Sequence, residues 1–224
     1  MQHEIRNKPD FASLHITFAS GEAVVTESGA MMGMSSELQM ETSMKGGLMA
    51  AAKRAMSGES LFMNTYTASA DGQRLDVAPA QPGDMEHIAL DGSKAIIVQR
   101  GSYVASTPGV VIDSKWAGWS GMKAREGLVM LHISGQGDLW IGSFGAIHLE
   151  ECNGSYVVDN SHIVAFDESL TFKVRSVGGL KSLFMSGEGR VCEFSGTGRI
   201  WLQTRSAPTL AEFLHPFRRV KPKK

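Results

Sequence analysis

An unusual octapeptide occurs twice in this chain of 224 residues. It is SGQGDLWI at residues 134–141 and SGTGRIWL at residues 195–202, so Gly135 and Gly196 are 61 residues apart. A weaker copy, SADGQRL, occupies residues 69–75. Self-similarity at a fixed period is the signature of repeat architectures, so the fold is expected to contain one structural unit several times.

Two further features precede the octapeptides in the same order. One is a glycine turn with a glutamate at a corresponding position: Glu59, Glu126 and Glu188. The other is an apolar segment that can be superposed three times: AVVTESGAM (23–31), AIIVQRGSY (95–103) and IVAFDESL (163–170). These features predict a single globular unit, residues 1–224, made of three internal repeats at about 18–85, 86–152 and 153–206.

Short runs of Val, Ile, Leu, Phe and Trp alternate with glycine turns, spaced by about 8 to 12 residues, and predict strands. We therefore expect an all-β fold of three tandem β-sandwich or double-stranded β-helix-like repeats. The Gly-x-Gly of each octapeptide is expected to form a hairpin corner, because a tight antiparallel connection needs a positive φ. Trp140 and Trp201 would then begin the return strands and cap the sandwich.

Two segments favour a short helix instead. GLMAAAKRAM (47–56) has no β-branched residue, and SAPTLAEFL (206–214) carries Ser206 and Pro208 at a suitable helix start. Residues 207–224 are thus expected to form a short helix and a solvated tail. The basic residues of that tail are Arg218, Arg219, Lys221, Lys223 and Lys224.

Composition excludes several classes of partner. With 22 basic and 23 acidic side chains the formal net charge is -1, so no global electrostatic field attracts nucleic acid, and no nucleic-acid partner is expected.

The chain has neither a signal-peptide pattern nor a run of roughly 20 apolar residues, which predicts a cytoplasmic protein. Cys152 and Cys192 are expected to be reduced thiols in strands.

The segments KGGLMAAAKRAMSGESLFMNTYTA, STPGVVID, SGQGDLW and GEGRVCEFSGTGRIWLQTRS, in this order, carry a family resemblance. Over nearly the whole chain they resemble bacterial relatives of the altered-inheritance-of-mitochondria protein of fungal mitochondria. The resemblance implies a three-repeat β architecture like that of the tryptophan RNA-binding attenuation protein, in homotrimeric or larger assemblies. It implies no established biochemical activity, and it links the family to mitochondrial biogenesis and membrane organisation.

No motif for catalysis or nucleotide binding is present. The chain lacks G-x-S-x-G, a P-loop, a dinucleotide fingerprint, H-E-x-x-H and C-x-x-C, which predicts a non-enzymatic protein without a cofactor. The nearest approach to a metal site is His148 with Glu150, which share one face of a strand by their spacing. An ordinary surface pair is the alternative interpretation.

Two hypotheses concern contacts. The corresponding glutamates Glu59, Glu126 and Glu188 could form a carboxylate ring around a pseudo-threefold axis, or each could pair with a nearby base or turn amide. The methionine-rich segment that begins at Met31, with helix 47–56, is expected to contact a neighbouring subunit, an unidentified protein or a peripheral membrane surface. Packing between repeats is the alternative. The candidate contact residues of this segment are Met49, Lys53, Arg54 and Met56.

The sequence therefore predicts a non-enzymatic protein that is structural or makes interactions, and whose first partner is itself, as a homotrimer or a multiple of one. A small-ligand or metal-binding β-barrel protein is the alternative function.

Overall fold

The computed structural model describes residues 1–43, 63–113, 129–176 and 190–218. The first strands are β1 (Gln2–Arg6), β2 (Ser13–Thr17), β3 (Ala23–Glu27), β4 (Met31–Met34), β5 (Gln39–Ser43), β6 (Met63–Thr67) and β7 (Arg74–Val77). The next are β8 (Met85–Asp91), β9 (Ile96–Gln99), β10 (Tyr103–Ser106), β11 (Val110–Asp113) and β12 (Met130–Gly142). The last elements are β13 (Ile147–Asp159), β14 (Ile163–Asp167), β15 (Thr171–Ser176), β16 (Arg190–Gln203) and helix α1 (Ala207–Leu214).

The strands form two antiparallel sheets, which confirms the all-β prediction. A four-stranded sheet has the order β1-β2-β7-β4. A twelve-stranded sheet follows the path β13-β16-β14-β9-β12-β10-β3-β6-β5, with β8 and β11 paired to β12 and β15 paired to β16. The division into three repeats stays a prediction.

The octapeptides lie inside the two long strands β12 and β16, so the expectation of a hairpin corner is wrong. The first half of β12 pairs with β9 and β11, and its second half pairs with β8 and β10. Gly135, at φ 95°, marks the change of partners. A Cβ on Gly135 would collide with the carbonyl oxygen of Gly109, so glycine allows both a positive φ and a close backbone approach.

Trp140 and Trp201 lie within these long strands instead of beginning return strands. Trp140 is opposite Ala105 of β10, and Trp201 is opposite Ala165 of β14. Both indoles are fully buried, at 0% and 1% exposed. Each large ring therefore packs beside a small residue, which is how sheet layers interdigitate without voids.

The buried apolar residues form three core clusters. The first core cluster includes Leu14, Tyr66, Leu75, Val104 and Trp140. The second core cluster includes Val98, Leu131, Leu139, Val164 and Trp201. The third core cluster includes Ile97, Val158, Phe166, Cys192 and Phe194. Val104 and Trp140 of the first cluster come from later in the chain than most of its other members. The same is true of Val164 and Trp201 in the second cluster, so the clusters are linked in chain order.

The carboxyl-terminal helix is confirmed. Helix α1 begins after Ser206, whose hydroxyl oxygen accepts a hydrogen bond from the Thr209 backbone N–H at 3.3 Å. Pro208 lies in its first turn, where no intrahelical donor is lost. The other predicted helix, residues 47–56, lies outside the described residues.

Candidate self-association surface

Strand β10 connects two parts of the fold through a β-bulge. Its register on β12 shifts between Tyr103 and Ala105, which leaves Val104 at the bulge. Val104 is 1% exposed and belongs to the first core cluster. On its other side β10 pairs with β3, where Ala105 lies opposite Thr26. The bulge thus directs the Val104 side chain into the first core cluster, while β10 itself covers an edge of β3.

Strand β14 has the same arrangement. Its register on β16 shifts between Ile163 and Ala165, and Val164 is fully buried in the second core cluster. Its other side pairs with β9, where Ala165 lies opposite Val98. A bulged strand that covers the edge of another strand therefore occurs twice in one chain.

Strand β4 has the bulge but lacks the second partner. Its register on β7 shifts between Met31 and Gly33, so Met32 occupies the bulge position. Within the described part of the chain β4 pairs only with β7, at the edge of the four-stranded sheet. Met32 is 56% exposed, where Val104 and Val164 are buried.

Within the described residues, strand β13 also has a partner on only one of its two sides. It pairs along its length with β16, and the described strands contain no other partner for it. Val157 on this strand is 45% exposed. Strands β3 and β9, by contrast, have both edges covered. We call β4 and residues 155–159 of β13 the two open edges.

Helix α1 adds a further apolar surface at the carboxyl end. None of its residues is buried, and its large apolar side chains are exposed: Leu210, Phe213 and Leu214, continued by Phe217. A cavity of about 360 Å³ lies beside it and is lined by Leu210 and Phe213 of the helix together with Phe144 and His162. The His162 Nδ1 lies 2.6 Å from the carbonyl oxygen of Gln203, so this part of the lining is tied to β16.

The residues that the sequence suggested as contact sites lie outside the described residues. This applies to the proposed ring of Glu59, Glu126 and Glu188, and to the candidate contact residues Met49, Lys53, Arg54 and Met56. The start of the methionine-rich segment is described, however. Met31, Met32 and Met34 lie on β4 and are all exposed.

His148 and Glu150 form the predicted pair on β13, with Nε2 and Oε2 3.6 Å apart. The His148 side chain is 62% exposed, and the described residues contain no group of three side chains suited to a metal ion. The geometry is that of a solvated surface pair, which is the second of the two interpretations drawn from the sequence.

The four-stranded sheet carries a hydrogen-bonded row of side chains that was not expected from the sequence. His15 Nε2 lies 2.9 Å from Ser13 Oγ, and His15 Nδ1 lies 2.7 Å from Asp76 Oδ1. Ser13 is only 5% exposed, and Asn7 Nδ2 also donates to its hydroxyl. The row therefore ties β2 to β7 and does not present a nucleophile to solvent. Only the spacing of Ser13 and His15 was visible in sequence, since Asp76 is 61 residues away.

The two cysteines occupy the environment that their sequence context indicated. Cys152 and Cys192 are both free and buried in strands. Burial, together with the nearby Asp159, raises the pKa of the Cys192 thiol to about 11. Among the described segments, no helix is long and apolar enough to cross a bilayer.

Comparison with known proteins gives a consistent result along the chain. The model of the family described as mitochondrial biogenesis AIM24 matches residues 3–205. An uncharacterized protein of Streptococcus pyogenes serotype M6 is 27% identical over 228 residues, which is 96% of this chain and 91% of that protein. An X-ray crystal structure of a Streptococcus pyogenes protein superposes with a TM-score of 0.79 at 25% identity, covering 97% of this chain and 99% of that one.

Proposed function

This chain belongs to the mitochondrial biogenesis AIM24 family, and we propose that it acts as a non-enzymatic, homo-oligomeric structural or interaction protein of the cytoplasm. Its first partner is a second copy of itself, in a trimer or a multiple of one. The observation that carries the proposal is the exposure of apolar side chains on the edge strand β4, where Met32 is 56% exposed.

An exposed apolar edge strand is costly for a protein that works alone. Edge strands of monomeric proteins are normally blunted by charged residues, proline or a covering loop, because an open edge templates aggregation. Strand β4 has the sequence MMGM, with neither a charge nor a proline. The apolar face of α1, where Phe213 is 66% exposed, adds to the surface that assembly would bury.

Native mass spectrometry of the gently purified full chain tests the proposal. We expect a trimer or a multiple of it, without a stoichiometric adduct. A monomer at micromolar concentration would contradict the proposal.

The same measurement tests the alternative of a small-ligand protein, which the cavity of about 360 Å³ beside α1 favours. A stoichiometric adduct in the native spectrum would support that alternative. Loss of the adduct on substitution of Phe144 by a bulkier residue would locate it in the cavity.

The part played by α1 in assembly has its own test. Phe213→Ser combined with Phe217→Ser removes two exposed aromatic rings from the helical surface. We expect the assembly to weaken in light scattering across a concentration series. Phe11→Ser is the matched control, because Phe11 is 72% exposed and lies between β1 and β2.

A second role, contact with an unidentified protein or a peripheral membrane surface, belongs to the same proposal. It follows from the apolar surface and from the basic tail that begins at Arg218. The family description names mitochondrial biogenesis, which is the biological setting that we propose for this role.

A further inference from the structure

We propose that β4 of one copy adds antiparallel to the open edge of β13 in the next copy, so that the chains assemble head to tail. This inference rests on the proposed function, because it names the surface through which the copies meet. It predicts a residue register as well as a pair of strands.

The proposed kind of pairing, in which a bulged strand covers the edge of another strand, already occurs twice within the chain. Ala105 lies opposite Thr26 and Ser106 opposite Val25 where β10 covers β3. The second instance, where β14 covers β9, places Ala165 opposite Val98 and Phe166 opposite Ile97. In both cases a bulged strand covers a strand from the preceding part of the chain.

Strand β4 matches the two covering strands residue by residue. In β10 the bulge is flanked by Tyr103 and Ala105, which pair with Ile141 and Trp140. The corresponding pairs in β14 are Ile163 with Leu202 and Ala165 with Trp201. In β4 they are Met31 with Val77 and Gly33 with Asp76. Gly33 therefore corresponds to Ala105 and Ala165, and Met32 to the two buried valines.

Strand β13 matches the covered strand β9 through the turn that follows. Val98 lies two residues before the 3₁₀ turn Arg100–Ser102, whose N-cap residue has φ -62° and ψ 132°. Val158 lies two residues before the 3₁₀ turn Asn160–His162, whose N-cap residue has φ -62° and ψ 131°. Val158 thus corresponds to Val98, and Val157 corresponds to Ile97.

The two correspondences together fix the register of the proposed contact. Gly33 is expected opposite Val158 of the next copy, and Met34 opposite Val157. The exposures support this assignment, because Ile97 is 0% exposed under β14 whereas Val157 is 45% exposed. Met32 would enter the third core cluster, just as Val104 and Val164 enter the first and second.

A second copy is the partner that fits these edges. Within one chain both open edges stay unpaired among the described strands, although each has the form of an edge that is paired elsewhere in the same chain. A contact between two different surfaces is heterologous, and it closes into a ring when the rotation between copies allows. Closure after three copies would give the expected trimer.

Disulfide trapping of the full chain tests the register. Met34→Cys combined with Val157→Cys places two thiols directly opposite each other, where cross-strand Cα atoms lie about 4.5 to 5.5 Å apart, within the range of a disulfide. We expect mild oxidation to link most chains between copies, as seen in non-reducing gels and intact mass. The native Cys152 and Cys192 are buried and are not expected to form disulfides under these conditions.

The control keeps one cysteine and moves the other. Met34→Cys combined with Val111→Cys retains the first thiol and puts the second on β11, where Val111 is 56% exposed. This variant should form links at no more than about a tenth of the rate, because the second thiol lies outside the proposed contact. Equal linking of both variants would overturn the register.

The outcomes separate this inference from the proposed function. A stable oligomer in which Met34→Cys and Val157→Cys fail to link would overturn the edge pairing and leave self-association standing. A monomer would overturn both, and a disulfide formed within one chain would show that the edges meet internally.

A charge at the bulge provides a second test. Met32→Glu should raise the dissociation constant of the assembly by about 30-fold or more, the effect of losing a central contact residue. Met40→Glu on β5 is the matched control, since Met40 is 46% exposed and lies outside the proposed contact. An unchanged dissociation constant for Met32→Glu would contradict the inference.

Discussion

Arg199 lies over the indole of Trp201, with its guanidinium carbon 4.7 Å from the ring centroid. The same guanidinium donates to Asp167, with Nε 3.1 Å from Oδ2 and a second nitrogen 3.0 Å from Oδ1. The Arg199 backbone N–H also donates to Asp167 Oδ2, at 2.9 Å. One carboxylate therefore holds both the side chain and the backbone of β16 at the end of β14.

Asp167→Ala should lower the free energy of unfolding by about 1 to 3 kcal/mol, because it leaves a backbone donor and a guanidinium without their acceptor. Urea denaturation followed by tryptophan fluorescence measures this. Glu4→Ala is the control, since it removes the Glu4 carboxylate from an exposed pair with Arg6 on β1. A similar small change in both variants would show that the Asp167 contacts contribute little.

Glu27 should make stability depend on pH. Burial raises the pKa of this carboxyl from 4.5 to about 7. The folded chain then binds a proton more readily than the unfolded chain does, so the free energy of unfolding should fall as pH rises from 4.5 to about 7. The loss should not exceed about 3 kcal/mol.

Urea titrations of wild type and Glu27→Gln at several pH values isolate this effect, because other groups cancel in the difference. The variant should gain stability relative to wild type as pH rises, and the difference should level off above about pH 7. A difference that does not vary with pH would rule out a buried carboxyl at this position.

Gly135→Ala should destabilise the fold more than Gly29→Ala. The two glycines have similar backbone conformations, with φ 95° and φ 88°. A Cβ on Gly29 meets nothing within 4 Å, whereas a Cβ on Gly135 meets the Gly109 carbonyl oxygen. We expect about 1 to 2 kcal/mol of backbone strain in Gly29→Ala, and a larger loss in Gly135→Ala. Thermal unfolding of both variants makes the comparison, and equal losses would contradict a close backbone approach at Gly135.

The thiols should be unreactive in the folded protein. Both cysteines are buried, and the raised pKa of the Cys192 thiol, about 11, leaves little thiolate at pH 8. Ellman's reagent should therefore titrate both thiols in urea and neither at an appreciable rate in buffer. Rapid reaction of one thiol in buffer would place it at the surface instead.

Much of the local structure was predictable from sequence. The alternation of apolar runs with glycine turns indicated an all-β fold, and Ser206 with Pro208 indicated helix α1. The spacing of His148 and Glu150 placed both side chains on one face of a strand, and in the structure they lie 3.6 Å apart on β13. These predictions succeed because each depends on residues that are neighbours along the chain.

The structure of the octapeptides could not be predicted from neighbouring residues alone. Glycines at positive φ were expected from the sequence, but Gly-x-Gly is compatible both with a hairpin and with a long strand that changes its partners. The outcome depends on Gly109, whose carbonyl oxygen approaches Gly135 so closely that no side chain fits. The superposed segment 163–170 is a related error, because β14 pairs as β10 does, whereas segment 95–103 begins with β9.

The sequence by itself determined that the chain is built mainly of strands, where helix α1 begins, and that an apolar, methionine-rich segment starts at Met31. Only the tertiary structure decided which strands lie in the interior of a sheet and which remain at an edge. Val157 and Ile97 are both apolar strand residues with a partner on one side, β16 and β12 respectively. On the other side β14 covers Ile97, and no described strand covers Val157. Strand coverage depends on hydrogen-bond partners far apart in sequence, so a local pattern cannot encode it.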